Sequence, residues 1–112
     1  MKLKITIYAA VLSLLGCSPA KPNIELSIKT HPDSVMGLAA FVIQSTANEA
    51  VIKDVVINRG NCQISPKAIA DIKNGLKLNF GQRYMSYSTL CTANDIKEVT
   101  ITTNEGTFTF SF

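Results

Sequence analysis

Three cysteines carry most of the reactive chemistry open to this chain: Cys17, Cys62 and Cys91. A thiolate can be a nucleophile, a metal ligand or half of a disulfide, and its surroundings decide which. Cys62 and Cys91 have no Cys-x-x-Cys partner and no histidine close by in sequence, which speaks against a metal pair or an activated thiol. Cys17 differs. It directly follows Gly16 at the end of an apolar run, Ile5 to Leu15, which itself follows Lys2 and Lys4. His31 is the single histidine and sits in a proline-containing turn beside Asp33. A metal site needs three or four converging ligands, so His31 reads as a turn residue. Met36 and Met85 carry thioethers of the kind that suit Cu(I), but two isolated methionines read as ordinary filling. No Gly-x-Ser-x-Gly is present, and the acidic residues are scattered, with only Asp95 and Glu98 close together. The expectation is a non-enzyme with no cofactor and no metal site.

The stretch Leu14-Leu15-Gly16-Cys17, with its apolar run and leading lysines, resembles the lipobox of a bacterial lipoprotein signal. The apolar run has eleven residues, too few to cross a bilayer core as a helix, which takes about 20. The resemblance implies that Cys17 receives a diacylglycerol and that the peptide is cut before it. The new amine is then a further acylation site. Two or three acyl chains give stable anchoring where one is marginal. Ser18 after the cysteine, in place of Asp, implies sorting to the outer membrane by resemblance to enterobacterial lipoproteins, with the domain facing the periplasm. Residues 1–16 are then a signal peptide, residues 17–23 a lipidated tether, and residues 24–112 the folded domain. Pro19 and Pro22 bias the tether toward extended backbone.

Export changes the reading of the other two cysteines. In an oxidising compartment, an even pair in a small chain reads as a disulfide, Cys62 to Cys91. Closing a loop of about 30 residues contributes roughly 3–4 kcal/mol in the chain-entropy picture. That matters because removing residues 1–16 leaves only 96, enough for one small and marginal domain. Charge narrows the partners. The precursor is +3, but two of its eleven basic residues lie in the signal, leaving nine against eight acidic ones. No basic stripe marks a nucleic-acid surface.

Alternation dictates strands. Ile24-Glu25-Leu26-Ser27-Ile28-Lys29 buries Ile24, Leu26 and Ile28 on one face. Gly37 to Gln44 is a continuous apolar run and reads as a central strand. Val51 to Asn58 is a strand with Val51, Val55 and Ile57 on one face and Ile52, Asp54 and Val56 on the other. Cys62-Gln63-Ile64 restarts a short strand. Ser65-Pro66 opens a two-turn helix with Ala68, Ile69 and Ile72 on its apolar face, stopped by Asn74-Gly75. Leu76 to Phe80 alternates again, with Arg83 to Ser88 as its expected hairpin partner. Cys91 falls in a loop. Ile96 to Thr103 and Thr107 to Phe112 form a closing hairpin over Asn104-Glu105-Gly106. About seven short strands, one short helix and one disulfide make an all-β chain. A small antiparallel β-sandwich of immunoglobulin-like type is the expected fold.

One loop stands out for recognition. Asn58-Arg59-Gly60-Asn61 is polar, carries one of two mature arginines and abuts Cys62. Rigid loops on a scaffold often carry binding, and arginine is favoured at interfaces. The expected function is a membrane-anchored, non-catalytic protein-binding accessory of an envelope assembly of secretion, conjugation or pilus type. An exclusion or inhibitor lipoprotein acting on a receptor or host enzyme is the alternative, and a periplasmic solute or metal binder a weaker one.

Overall fold

Seven strands, β1 (Ile24–Thr30), β2 (Leu38–Ser45), β3 (Glu49–Ile57), β4 (Leu76–Asn79), β5 (Arg83–Thr92), β6 (Glu98–Thr103) and β7 (Gly106–Ser111), follow from these patterns, with one helix, α1 (Pro66–Lys73), between β3 and β4. They are seen in a computed structural model that describes residues 21–112; Cys17 and its lipobox lie outside the described residues. The strands form two antiparallel sheets, β1-β2-β5 and β4-β3-β6-β7. This order is that of an immunoglobulin-like sandwich whose fourth strand pairs with the third, in the position of strand C′.

The inner faces supply the core. Phe41 and Ile43 of β2 meet Ala50, Ile52, Val55 and Ile57 of β3 and Val99 and Ile101 of β6, all buried. The apolar run read as a central strand is central: β2 pairs with β1 on one side and β5 on the other. Its continuous apolarity belongs to a strand that supplies the core and has paired neighbours at both edges.

In β3 the faces differ from strict alternation. Ile52 is buried together with Val55 and Ile57, whereas Val51 and Val56 are half-buried. The pairing with β6 shifts between Ile52 and Asp54, so Lys53 is the extra residue of a β-bulge. One inserted residue changes the parity and lets residues three apart share a face. Asp54 favours the irregularity locally, because its Oδ1 accepts the Val55 N–H at 2.9 Å.

The expected hairpin between Leu76–Phe80 and Arg83–Ser88 does not form. β4 pairs with β3 in one sheet, and β5 pairs with β2 in the other. The turn at Phe80–Gln82 therefore crosses between sheets, and Phe80 is exposed instead of continuing the buried side of β4. Cys91 lies within β5, not in a loop. Cys62–Ile64 makes only two isolated bridges, Ile57 to Cys62 and Ile64 to Ser88. The closing hairpin is present, with Thr103 facing Gly106, so only Asn104 and Glu105 bridge it.

The flank between β4 and β5 is closed by the 62–65 segment and α1. Ser65 caps the helix, its Oγ accepting the Ala68 N–H at 3.1 Å, and Pro66 occupies the first turn. The same Oγ lies 2.8 Å from Ser86 Oγ of β5. Ala68 is fully buried and Ile72 packs on the core, but Ile69 is half exposed, contrary to the helical-face expectation. A two-turn helix laid over an edge buries only the narrow stripe that faces inward. Tyr84 of β5 donates to Asp71 Oδ2 at 2.7 Å and locks the helix to the β1-β2-β5 sheet.

The disulfide Cys62–Cys91 is formed and ties the segment after β3 to the end of β5, one sheet to the other. In antibody domains the bridge joins strands B and F through the middle of the sandwich. Here it staples one end.

Strand direction defines two poles. Ile24 pairs with Ser45, so the chain enters the sandwich at the end that carries the β2–β3, β4–β5 and β6–β7 turns. We term this the tether pole. Asn23 is itself buried there, holding Thr103 Oγ1 at 2.9 Å and Asn104 Oδ1 at 3.1 Å. The far pole carries the β1–β2 loop, Asn58–Asn61, the disulfide and Phe112. A nine-residue strand such as β3 separates the poles by about 30 Å.

Candidate functional site

The backbone at the end of β3 turns sharply through left-handed conformations. Asn58 and Arg59 have φ of 51° and 58°, and Gly60 follows at 96°. Asparagine tolerates this region better than most residues, and glycine is free to adopt it. Asn61 N–H donates to Asn58 O at 3.1 Å, and Cys62 N–H returns to Ile57 O at 3.3 Å, so the loop closes on itself.

Asn58 is the clamp of this loop. Its Oδ1 accepts the Lys97 and Glu98 N–H groups at 2.8 and 3.1 Å, and its Nδ2 donates to Asp95 O at 2.7 Å. The amide thereby joins the end of β3 to the start of β6. The receiving segment is fixed by its own cap. Asp95 Oδ2 accepts both the N–H and the hydroxyl of Thr92 at 3.0 Å. The backbone donor, then the hydroxyl, hold the Asp95 carboxyl below its usual range.

Arg59 projects outward and grips Glu98 with two nearly parallel bonds, Nε to Oε2 and Nη2 to Oε1, each 3.2 Å. The Glu98 hydrogen bonds and charge push the guanidinium pKa up. The arrangement presents a fixed fork, with the guanidinium edge away from Glu98 facing solvent. Of the four loop residues expected to bind, Asn58 is thus a structural clamp. Arg59, Gly60 and Asn61 form the exposed tip.

The fold brings other groups to this pole that the sequence reading did not assign to a site. Val35 is fully exposed and Met36 is 75% exposed in the β1–β2 loop. Leu90, bulged out of β5 beside Cys91, and Phe112 are also exposed at this end. The signal for Val35 and Met36 was present: two apolar residues inside Pro32-Asp33-Ser34-Val35-Met36-Gly37, a stretch otherwise built of turn formers. Ser34 Oγ accepts the N–H groups of Met36 and Leu38 and so shapes the loop that displays them. His31 belongs to the same loop. Its Nδ1 accepts the Asp33 N–H at 3.0 Å, and its ring stands edge-on to Tyr87 at 5.1 Å.

Beside the loop tip an open groove of about 380 Å³ runs between the outer face of β3 and α1, lined by Val56, Gly60, Gln63, Ile64 and Ile69. It adjoins a second, of about 320 Å³, that reaches Ile72 and Lys73. Both are surface grooves with apolar floors. Among the described residues no cluster of three or more His, Cys, Asp or Glu side chains converges on a common point. Comparison with protein-family models, with characterised proteins and with solved structures gave no significant match for this chain.

Proposed function

We propose that this protein is a lipid-anchored, non-catalytic binding module that serves as an accessory of an envelope assembly. The observation that carries the reading is polarity. The chain enters the sandwich at one pole, and the fixed Arg59 tip with exposed Val35, Met36, Leu90 and Phe112 stands at the other. A domain anchored through Cys17 would present that far pole away from its bilayer. Scattered single apolar residues are normal on a surface, but several collected at the same end as an exposed arginine suit a protein interface. The disulfide supports an oxidising compartment.

In-cell photocrosslinking tests this reading. A crosslinking residue replaces Val35 or Asn61 at the far pole, or Asn48 at the tether pole as control. The expected result is one envelope protein captured from both far-pole positions and not from Asn48. Capture of a single foreign receptor or host enzyme instead would move the assignment to an exclusion factor. Absence of any specific adduct from the far pole overturns the protein-binding reading.

A further inference from the structure

Alternation along β4 directs Leu76, Leu78 and Phe80 to one side, yet Phe80 is 71% exposed while Leu78 is buried. The turn that ends the strand explains this. Gln82 N–H donates to Asn79 O at 2.9 Å, and Gly81 at φ +79° takes the third position of the turn. Phe80 is left at the outward second position. The turn is pinned to the body of the domain. Gly81 N–H donates to Ser45 O at 2.9 Å, Ser45 N–H to Gln82 O at 3.0 Å, and Gln44 Nε2 to Gly81 O at 3.0 Å. A large aromatic side chain is thus held out from a fixed support.

Its position relative to the tether follows from the same pairing. Ser45 faces Ile24 on one side and the Gly81–Gln82 turn on the other. Two strand spacings of about 4.8 Å set the Phe80 turn about 10 Å from the point where the chain enters the sheet. Cys17 precedes Asn23 by six residues, a span of at most about 20 Å. A bilayer anchored at Cys17 is therefore within reach of Phe80 and far from the opposite pole. Lys21 and Arg83 are exposed at the same pole, balanced by exposed Glu25, which shares a surface groove with Arg83, and Glu105, while Lys77 is paired with Glu49 at 3.3 Å. These charges cancel, so the aromatic ring, of a kind that favours the interfacial zone, is the group suited to a lipid surface.

We infer that the tether pole rests on the bilayer, with the Phe80 ring in the interfacial layer. This contact sets the long axis of the sandwich away from the membrane and aims the far pole at its partner. The inference rests on the lipid-anchor reading of Cys17.

The chain contains no tryptophan, so a single introduced one reports its own surroundings. Phe80→Trp and, at the far pole, Val35→Trp are made in the full acylated protein. Each is reconstituted into phosphatidylethanolamine–phosphatidylglycerol vesicles, with and without brominated acyl chains. The expected result is a blue-shifted emission that bromine quenches for Phe80→Trp, and neither change for Val35→Trp. Both side chains are exposed, so neither substitution burdens the core. If both proteins stay with the vesicles and Phe80→Trp is unquenched, or both are quenched alike, the inference is overturned while the anchor stands. If wild type does not stay with vesicles and Cys17→Ala behaves identically, the anchor reading fails and the inference goes with it.

Discussion

Asn58 and Arg59 are neighbours in one loop with opposite jobs. Asn58 satisfies two backbone donors and one backbone acceptor of the facing segment. Asn58→Ala leaves those groups without protein partners and is expected to cost about 1–3 kcal/mol, read as a lower urea midpoint at unchanged slope. Arg59 is exposed, and a surface ion pair contributes little to folding. Arg59→Ala should leave the midpoint where it is but weaken capture of the partner, a split that a purely structural role would not produce. Two carboxyls add a pH dependence. The Lys67 and Tyr84 hydrogen bonds hold Asp71 below its ordinary range, and Thr92 does the same for Asp95. A depressed folded value means the unfolded chain takes up protons first. The stability these groups contribute is fully present above the unfolded value of about 3.9 and is lost as pH falls through the folded values. Denaturation midpoints measured against pH should therefore drop below about pH 4, and less steeply in Asp71→Asn with Asp95→Asn. Tyr84 titrates in the opposite direction. Burial first, then Asp71, pushes its pKa to about 12. The stability it contributes is present below the unfolded value of about 10 and is lost as pH rises above it.

At the scale of elements, α1 acts as the wall of one flank. The two edge strands there, β4 and β5, belong to different sheets and are not paired with each other. The helix spans that gap by burying Ala68, hydrogen-bonding Tyr84 through Asp71 and placing Ser65 against Ser86. It is too short to be stable alone, so its cap and its contacts decide whether it forms. Ser65→Ala removes the cap and leaves the buried Ser86 hydroxyl without this partner. A loss of about 1–2 kcal/mol is expected, with early amide exchange across residues 66–73 while β2 and β6 stay protected. The Ser65-Pro66 start and the Asn74-Gly75 stop are local signals, so the helix was legible in the sequence. Its half-exposed Ile69 was not, because three apolar residues on one face do not say how much of that face the edge beneath will cover. The bulge at Lys53 was missed for a similar reason. Periodicity counts residues, and an extra one is visible only against the partner strand.

The whole molecule is a short sandwich stapled at one end and entered from the other. Replacing both Cys62 and Cys91 with Ser should lower stability by roughly 3–4 kcal/mol, since the bridge closes 29 residues of sequence separation. Equilibrium denaturation measures this. The oxidised protein should also migrate faster than the reduced one on a gel and titrate no free thiol at those positions. Much of this architecture is local information. Strand positions, the helix cap, the closing hairpin and the pairing of two cysteines follow from alternation, capping residues and an even thiol count, each readable over a few residues. The lipobox-like stretch at Cys17 is readable in the same way. Long-range placement is not. Phe80 points out because its turn crosses to the other sheet, and β5 joins β2 in place of its sequence neighbour β4. Arg59 meets Glu98 across 39 residues only because β3 and β6 are neighbours. The gathering of Val35, Met36, Leu90 and Phe112 at the pole opposite the tether is likewise a product of strand order. Sequence alone determined which segments are strands and which residues are punctuation, because backbone sterics and side-chain alternation act over a few residues. Tertiary structure alone decided which edges pair and which loops and side chains share a pole, because those depend on contacts between residues far apart in the chain.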